Sequence, residues 1–177
     1  MPFNVAVNVS TPSLARFDTP MDILAENDGK IFARSRIERP ENVASPFSGE
    51  LFPCLIWAHD GLFTAAGRTA VAKGLLEAGC RYAVCGGQNC EEWHDTVDEA
   101  FVEAHVDEPE SRQDAAFVMT TWHPGETPDD VAFFFVLNTN FDDHDFRRYL
   151  VLHVGTGLAE REVDSAVQKY VRGGSAV

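Results

Sequence analysis

From residue 51 to residue 171, short apolar runs alternate with amphipathic segments. LFPCLIWAHD (51–60) is apolar until it closes on His59 and Asp60, the pattern of a strand covered on both faces. Thr64 is placed to cap a helix through AAGRTAVAKGLLEA, which Gly79 stops. CRYAVCGG reads as a second strand, and Asn89 as the cap of the next helix. In that helix Trp93, Val97, Ala100, Phe101 and Ala104 recur at i, i+4, i+7, i+8 and i+11. DAAFVMTTWH supplies a third strand, Ala115 to Thr121. Thr127-Pro128-Asp129-Asp130 reads as N-cap, proline at the first helical position and acids in the first turn. That start predicts a helix through VAFFFVLN, although its β-rich composition leaves a strand open at 131–138. RRYLVLHVG (147–155) is a fourth strand, and LAEREVDSAVQKYV gathers Val163, Ala166, Val167, Tyr170 and Val171 on one helical face.

Four strand–helix units in succession require right-handed crossovers. They predict an α/β, three-layer fold: a mainly parallel sheet of about four to five strands with helices on both faces, Rossmann-like or flavodoxin-like. Residues 1–46 differ, with five prolines and no long helical period. There FNVAVNV and KIFARSRI read as strands, pairing with each other or with the sheet edge. The expected organisation is an N-terminal extended segment (1–46) packed on the core or sheet edge, one α/β domain (47–172) and a flexible tail (173–177).

Charge narrows the function classes. Among 177 residues there are 28 acids against 14 Lys and Arg, a formal charge of -14. Nucleic-acid binding and adhesion to an anionic membrane both need clustered bases, so neither is expected. No apolar run approaches the roughly 20 residues of a spanning helix, and the start lacks a secretory signal. A soluble, cytoplasmic protein is the expectation. The acids are concentrated: ten against one base between Glu91 and Asp114, and six with no Lys or Arg between Glu126 and Asp145. They read as a solvated surface, or as a face for a basic protein partner with Glu92, Glu99 and Glu103 outward.

Cys54, Cys80, Cys85 and Cys90 do not suggest a metal site. Cys80 and Cys85 stand five apart on one strand, so alternation sends them to opposite faces. Buried or loop thiols are expected, with no metal and no cofactor.

In an open parallel sheet, ligands bind beyond the carboxyl ends of the strands, where strand order reverses. Four loops would meet there, bringing His59 and Asp60, Gly86, Asn89 and Cys90, Trp122 and His123, and His153 and Thr156 to one rim. For catalysis the candidates are Asp60, Cys85, Cys90 and His123; His59, Gly86, Asn89, His94, Trp122, His153 and Thr156 are candidate ligand-edge residues. Asp60 stands out, because an acid ending a buried strand needs a partner or a role; capping the following turn would serve. His153 lies inside an apolar strand, either as a satisfied buried histidine or as a base. Phosphate binding is disfavoured: Glu91, Glu92 and Glu160 already complement the helix starts after CGGQN and GTG. AHDGLF compares with the D-x-D-G-T-L start of haloacid-dehalogenase-type phosphatases, but Ala58 stands where their nucleophile would be.

LLEAGCRYAVCGGQNCEEWHDTVDE, followed by VMTTWH and the helix after PGETPDD, resembles a family of small bacterial proteins known as a domain of unknown function. The likeness covers roughly residues 50 to 155 through G-C-R-Y, C-E-x-x-H-D and T-T-W-H. It implies an α/β domain and a bacterial source, and carries no activity or catalytic residue with it. As site markers these motifs point to Cys90, Glu91, His94, Asp95, Trp122 and His123. Absent any complete catalytic motif, the sequence indicates a binding module for a protein or small ligand. The alternative is a hydrolase or transferase acting on a nucleotide-like or other small substrate at the strand-end cleft.

Overall fold

Phe52 to Ala58 are buried without interruption, as a strand between two helical layers must be, and they form β3 (Phe52–Ala58). The computed structural model describes residues 22–40, 47, 49–141 and 144–173. Before β3 come β1 (Asp22–Asn27) and β2 (Lys30–Ile37); after it run α1 (Ala65–Ala78), β4 (Cys80–Gly87), α2 (Cys90–His105) and α3 (Glu110–Ala116). The chain continues through β5 (Met119–Trp122), α4 (Pro128–Leu137), β6 (Arg148–Val154) and α5 (Glu160–Gly173). FNVAVNV and the last four residues lie outside the described residues.

The fold is α/β, with a single six-stranded sheet in the order β1-β2-β6-β3-β4-β5. All neighbours are parallel except β1 and β2. The sheet therefore exceeds the expected four to five strands. The added strand is β1, joined to β2 through Asp28 and Gly29, both at positive φ. Such a two-residue Asp-Gly turn matches the twist of a hairpin. KIFARSRI is β2, which pairs in parallel with β6 and carries β1 on its other side.

Local rules account for most elements. The Thr64 hydroxyl accepts from the Gly67 N–H to start α1, and Gly79 ends it in the left-handed region at φ 104°. Thr127 and Asp130 form a reciprocal capping box, with Pro128 at the first turn of α4. Residues 131–137 are thus helical, and the open choice at 131–138 resolves against a strand. Two expectations are corrected. Asn89 precedes α2 at φ 52° without a side-chain cap bond. The third strand begins at Met119 rather than Ala115, because 110–116 coil into α3, which ends where the Phe117 N–H meets the Asp114 carbonyl.

Two apolar clusters flank the sheet. Val71, Ala72, Leu75, Trp93, Val97 and Ala100 of α1 and α2 pack on one face. Val131, Ala132, Phe135, Val163, Ala166 and Val167 of α4 and α5 pack on the other. Among the described residues no helix is long and apolar enough to cross a membrane.

Candidate functional site

The chain leaves β3 for α1 on one face and leaves neighbouring β6 for α5 on the other. The two loops diverge there, which opens a crevice at the carboxyl end of the sheet. Backbone bonds hold the rim in register: Gly155 N–H to Ile37, His59 N–H to Val154, Gln88 N–H to Ala58 and His123 N–H to Cys85, each at 2.8–3.0 Å.

At this crevice His59 and His153 meet nitrogen to nitrogen. His153 follows Tyr149 and Val151 on the α5 side of β6, and His59 follows Leu55 and Trp57 on the same side of β3. His59 Nε2 lies 2.9 Å from His153 Nδ1, and His153 Nε2 lies 2.9 Å from Asp164 Oδ1. A carboxylate accepts, which places a proton on His153 Nε2; in the neutral ring Nδ1 then accepts from the His59 Nε2–H. The chain of bonds continues to Arg34, whose Nη1 donates to Asp164 Oδ2 at 2.7 Å and to Glu160 Oε1 at 3.3 Å. Asp22 holds the other side of Arg34, and Arg36 also pairs with Glu160. The Arg34 guanidinium is consequently held above its usual pKa, first by the bond to Asp22 and then by Asp164.

His153 is fully buried, so it is a satisfied core histidine with both nitrogens engaged. The other nitrogen of His59, Nδ1, is buried without a hydrogen-bond partner. It lies under Gly157, where an added Cβ would come within 2.9 Å of it. Burial, then the adjacent His153, lowers the His59 pKa below the ordinary imidazole value. His153, Glu160 and Asp164 offer three ligand atoms within 4.8 Å of one another, close enough for a metal ion. Their fit to one is poor, since Arg34 and Arg36 already supply cationic charge to both carboxylates.

Asp60 clasps the two loops: Oδ1 accepts from the Leu62 N–H at 3.2 Å and Oδ2 from the Thr156 N–H at 3.1 Å. Gly155, at φ 76°, lies against this carboxylate so closely that no Cβ would fit. Beside the clasp lies a cleft of about 380 Å³ lined by residues that include Arg39, Asp60, Leu62, Phe63, Thr64 and Thr156. Leu62 is 81% exposed and Leu158 on the other loop is 99% exposed.

The remaining sequence candidates lie apart from this chain of bonds. His94 packs on Trp122 with ring centroids 4.3 Å apart and bonds to Asp95. His123 bonds to Glu126 at 2.9 Å and Thr121 at 3.3 Å. Among the described residues no side-chain hydrogen bond joins His123 to Asp60, Cys85 or Cys90. Cys85 on β4 and Cys90 at the start of α2 are both buried in the same apolar cluster, and burial pushes the Cys85 thiol well up. Cys54 is shifted the same way, and burial takes Cys80 up to about 12. Gly86 answers to packing, because a Cβ there would stand 2.8 Å from the Trp57 ring. The Asn89 side chain lies against Gly61.

Arg34, Arg36, Glu160 and Asp164 are the site residues that sequence reasoning missed. A faint signal existed. Arg34 and Arg36 stand two apart in a strand and so share a face, and Asp164 interrupts the apolar side of α5.

Fold and crevice together define an α/β domain with a mainly parallel sheet and a switch point between β3 and β6. The chain belongs to the family described as Domain of unknown function (DUF7684), whose model matches residues 34–170. Among curated proteins none matches the chain. The matched stretch opens at Arg34 and takes in the whole bond chain except Asp22.

Proposed function

We propose that this domain is a Rossmann-like binding module that takes a small organic ligand in the crevice between the β3–α1 and β6–α5 loops. One observation carries the reading: a cleft of about 380 Å³ at the switch point whose neighbouring loops leave Leu62 and Leu158 uncovered. The cost of leaving large apolar side chains in water at such a place is offset when a ligand covers them. Asp60 fixes the loops beforehand, which lowers the ordering cost of binding. The ligand would set an apolar portion against Leu62 and a hydrogen-bonding portion toward Thr156 and Arg39.

Binding is favoured over hydrolase or transferase chemistry by the state of the polar groups. His59 spends Nε2 on His153, and its Nδ1 is covered. Asp60 is engaged by two N–H groups, and Cys85 is a buried thiol of raised pKa. A general base needs an open nitrogen or oxygen within reach of its substrate.

The test is a titration of the isotope-labelled full chain with mononucleotides, amino acids and sugar phosphates, followed by amide NMR. Saturable shifts at Gly61, Leu62, Gly155 and Thr156 are expected for one of these classes, with affinity reduced about tenfold in Leu62→Asp. Shifts confined to α2 and β5 would overturn the reading. So would turnover of a panel compound that disappears in His59→Gln.

A further inference from the structure

β5 ends the sheet, and among the described residues it pairs on one side only, with β4. The bond from His123 N–H to the Cys85 carbonyl fixes its polarity. Alternate residues of a parallel strand bond to the same side, so Thr121 also faces β4. Thr120 and Trp122 therefore direct N–H and C=O outward, where no other described strand pairs with them, a template for a further strand.

The surroundings of this edge are chemically one-sided. On the α2 side, the Thr120 hydroxyl donates to Asp98 at 2.8 Å, and His94 lies between Asp95, Asp98 and the Trp122 ring. On the other side, Glu126 holds His123. Among the described residues no Lys or Arg forms an ion pair with Asp95, Asp98 or Glu126. Glu92 and Glu103, two of the acids expected to face a partner, pair with Arg68 and Lys73 of α1. Trp122 is 45% exposed and Phe117 40%, one at each end of the strand. An exposed indole beside carboxylates suits a cationic side chain, which gains both from the ring face and from the acids.

We infer that the outer edge of β5 receives an extended, basic segment of a partner protein, which adds as a seventh strand. Its backbone bonds to Thr120 and Trp122. Its Lys or Arg side chains alternate between the Asp95–Asp98 side and the Glu126 side, and one cation rests on Trp122. Strand addition supplies affinity through the main chain, and the acids select the sign of the partner. This site is separate from the crevice between β3 and β6.

The probe is a fluorescent peptide of repeating Lys-Lys-Val-Val, which sets lysines on both faces of an extended strand, with two controls: the same peptide with glutamate for lysine, and the lysine peptide N-methylated at alternate backbone positions. Anisotropy with the full chain should show saturable binding of the lysine peptide alone. Raising the salt from low to half-molar should weaken it roughly tenfold. Thr120→Pro removes an outward N–H while sparing the β4 ladder and should lower affinity about tenfold; Asp95→Lys with Asp98→Lys should do the same. The N-methylated peptide probes the unaltered protein, so a misfolded variant does not cloud the result. Equal binding of the methylated or the glutamate peptide would overturn the inference, as would no binding of the lysine peptide. A chain that is dimeric by light scattering, with the β5 amides protected by the second copy, would overturn it too.

Discussion

His59 is the most informative single residue. Its pKa is lowered in the folded protein, so between its folded and unfolded values the unfolded chain holds more protons. The His59 contribution is therefore fully present above the unfolded value, about 6.5, and is lost as pH falls from there through the folded value. Thermal midpoints measured from pH 8 down to pH 5 should fall more steeply for the native protein than for His59→Gln, whose amide keeps a donor for His153. Parallel curves would show that His59 is not the group responsible. After burial, His153 and Arg36 press the His59 pKa down, and Glu160 and Asp60 oppose them. The sequence marked His59, Asp60 and His153 because they end or interrupt apolar strands. It did not mark Arg34, whose partner Asp164 lies 130 positions away.

Elements were the most legible part of the chain. α1, α2, α4 and α5 follow from stripes, caps and stop signals that neighbouring residues supply to one another. The capping box at α4 is a case where a start signal outweighed β propensity, because Val131 to Val136 have helix-covered surface to bury rather than a ladder to join. Thr127→Ala removes the acceptor for the Asp130 N–H and should cost about 1 kcal/mol, read as a lower denaturant midpoint with unchanged slope; Thr127→Ser should restore most of it. Where elements were misread, the signals were short. β1 has an irregular, half-exposed pattern, and only its Asp28-Gly29 turn announces it. Ala115 and Ala116 read as the start of a strand, yet they close a seven-residue helix with no buried residue.

For the molecule as a whole, the decisive feature is the return of the chain from β5 across the sheet to β6. This step places His153 next to His59 and brings the Asp60 carboxylate to the Thr156 N–H. Asp60→Ala should free both loops: hydrogen exchange at the Leu62 and Thr156 amides should quicken, with a stability loss of about 1 kcal/mol. Unchanged exchange at both amides would show that the clasp is not what orders the crevice. Asp60, which the sequence singles out for a functional role or for capping the following turn, accepts from one N–H on each of the two loops.

The amino-acid order alone was enough to specify the buried strands, the helix starts and stops and the acidic balance, since each depends on residues a few positions apart. Strand order, the pairing of Arg34 with Asp164, the closure of His59 under Gly157 and the place of β5 at the end of the described sheet depend on which distant segments become neighbours. That is settled by burying two apolar faces of one sheet at once, a condition no local stretch of chain contains.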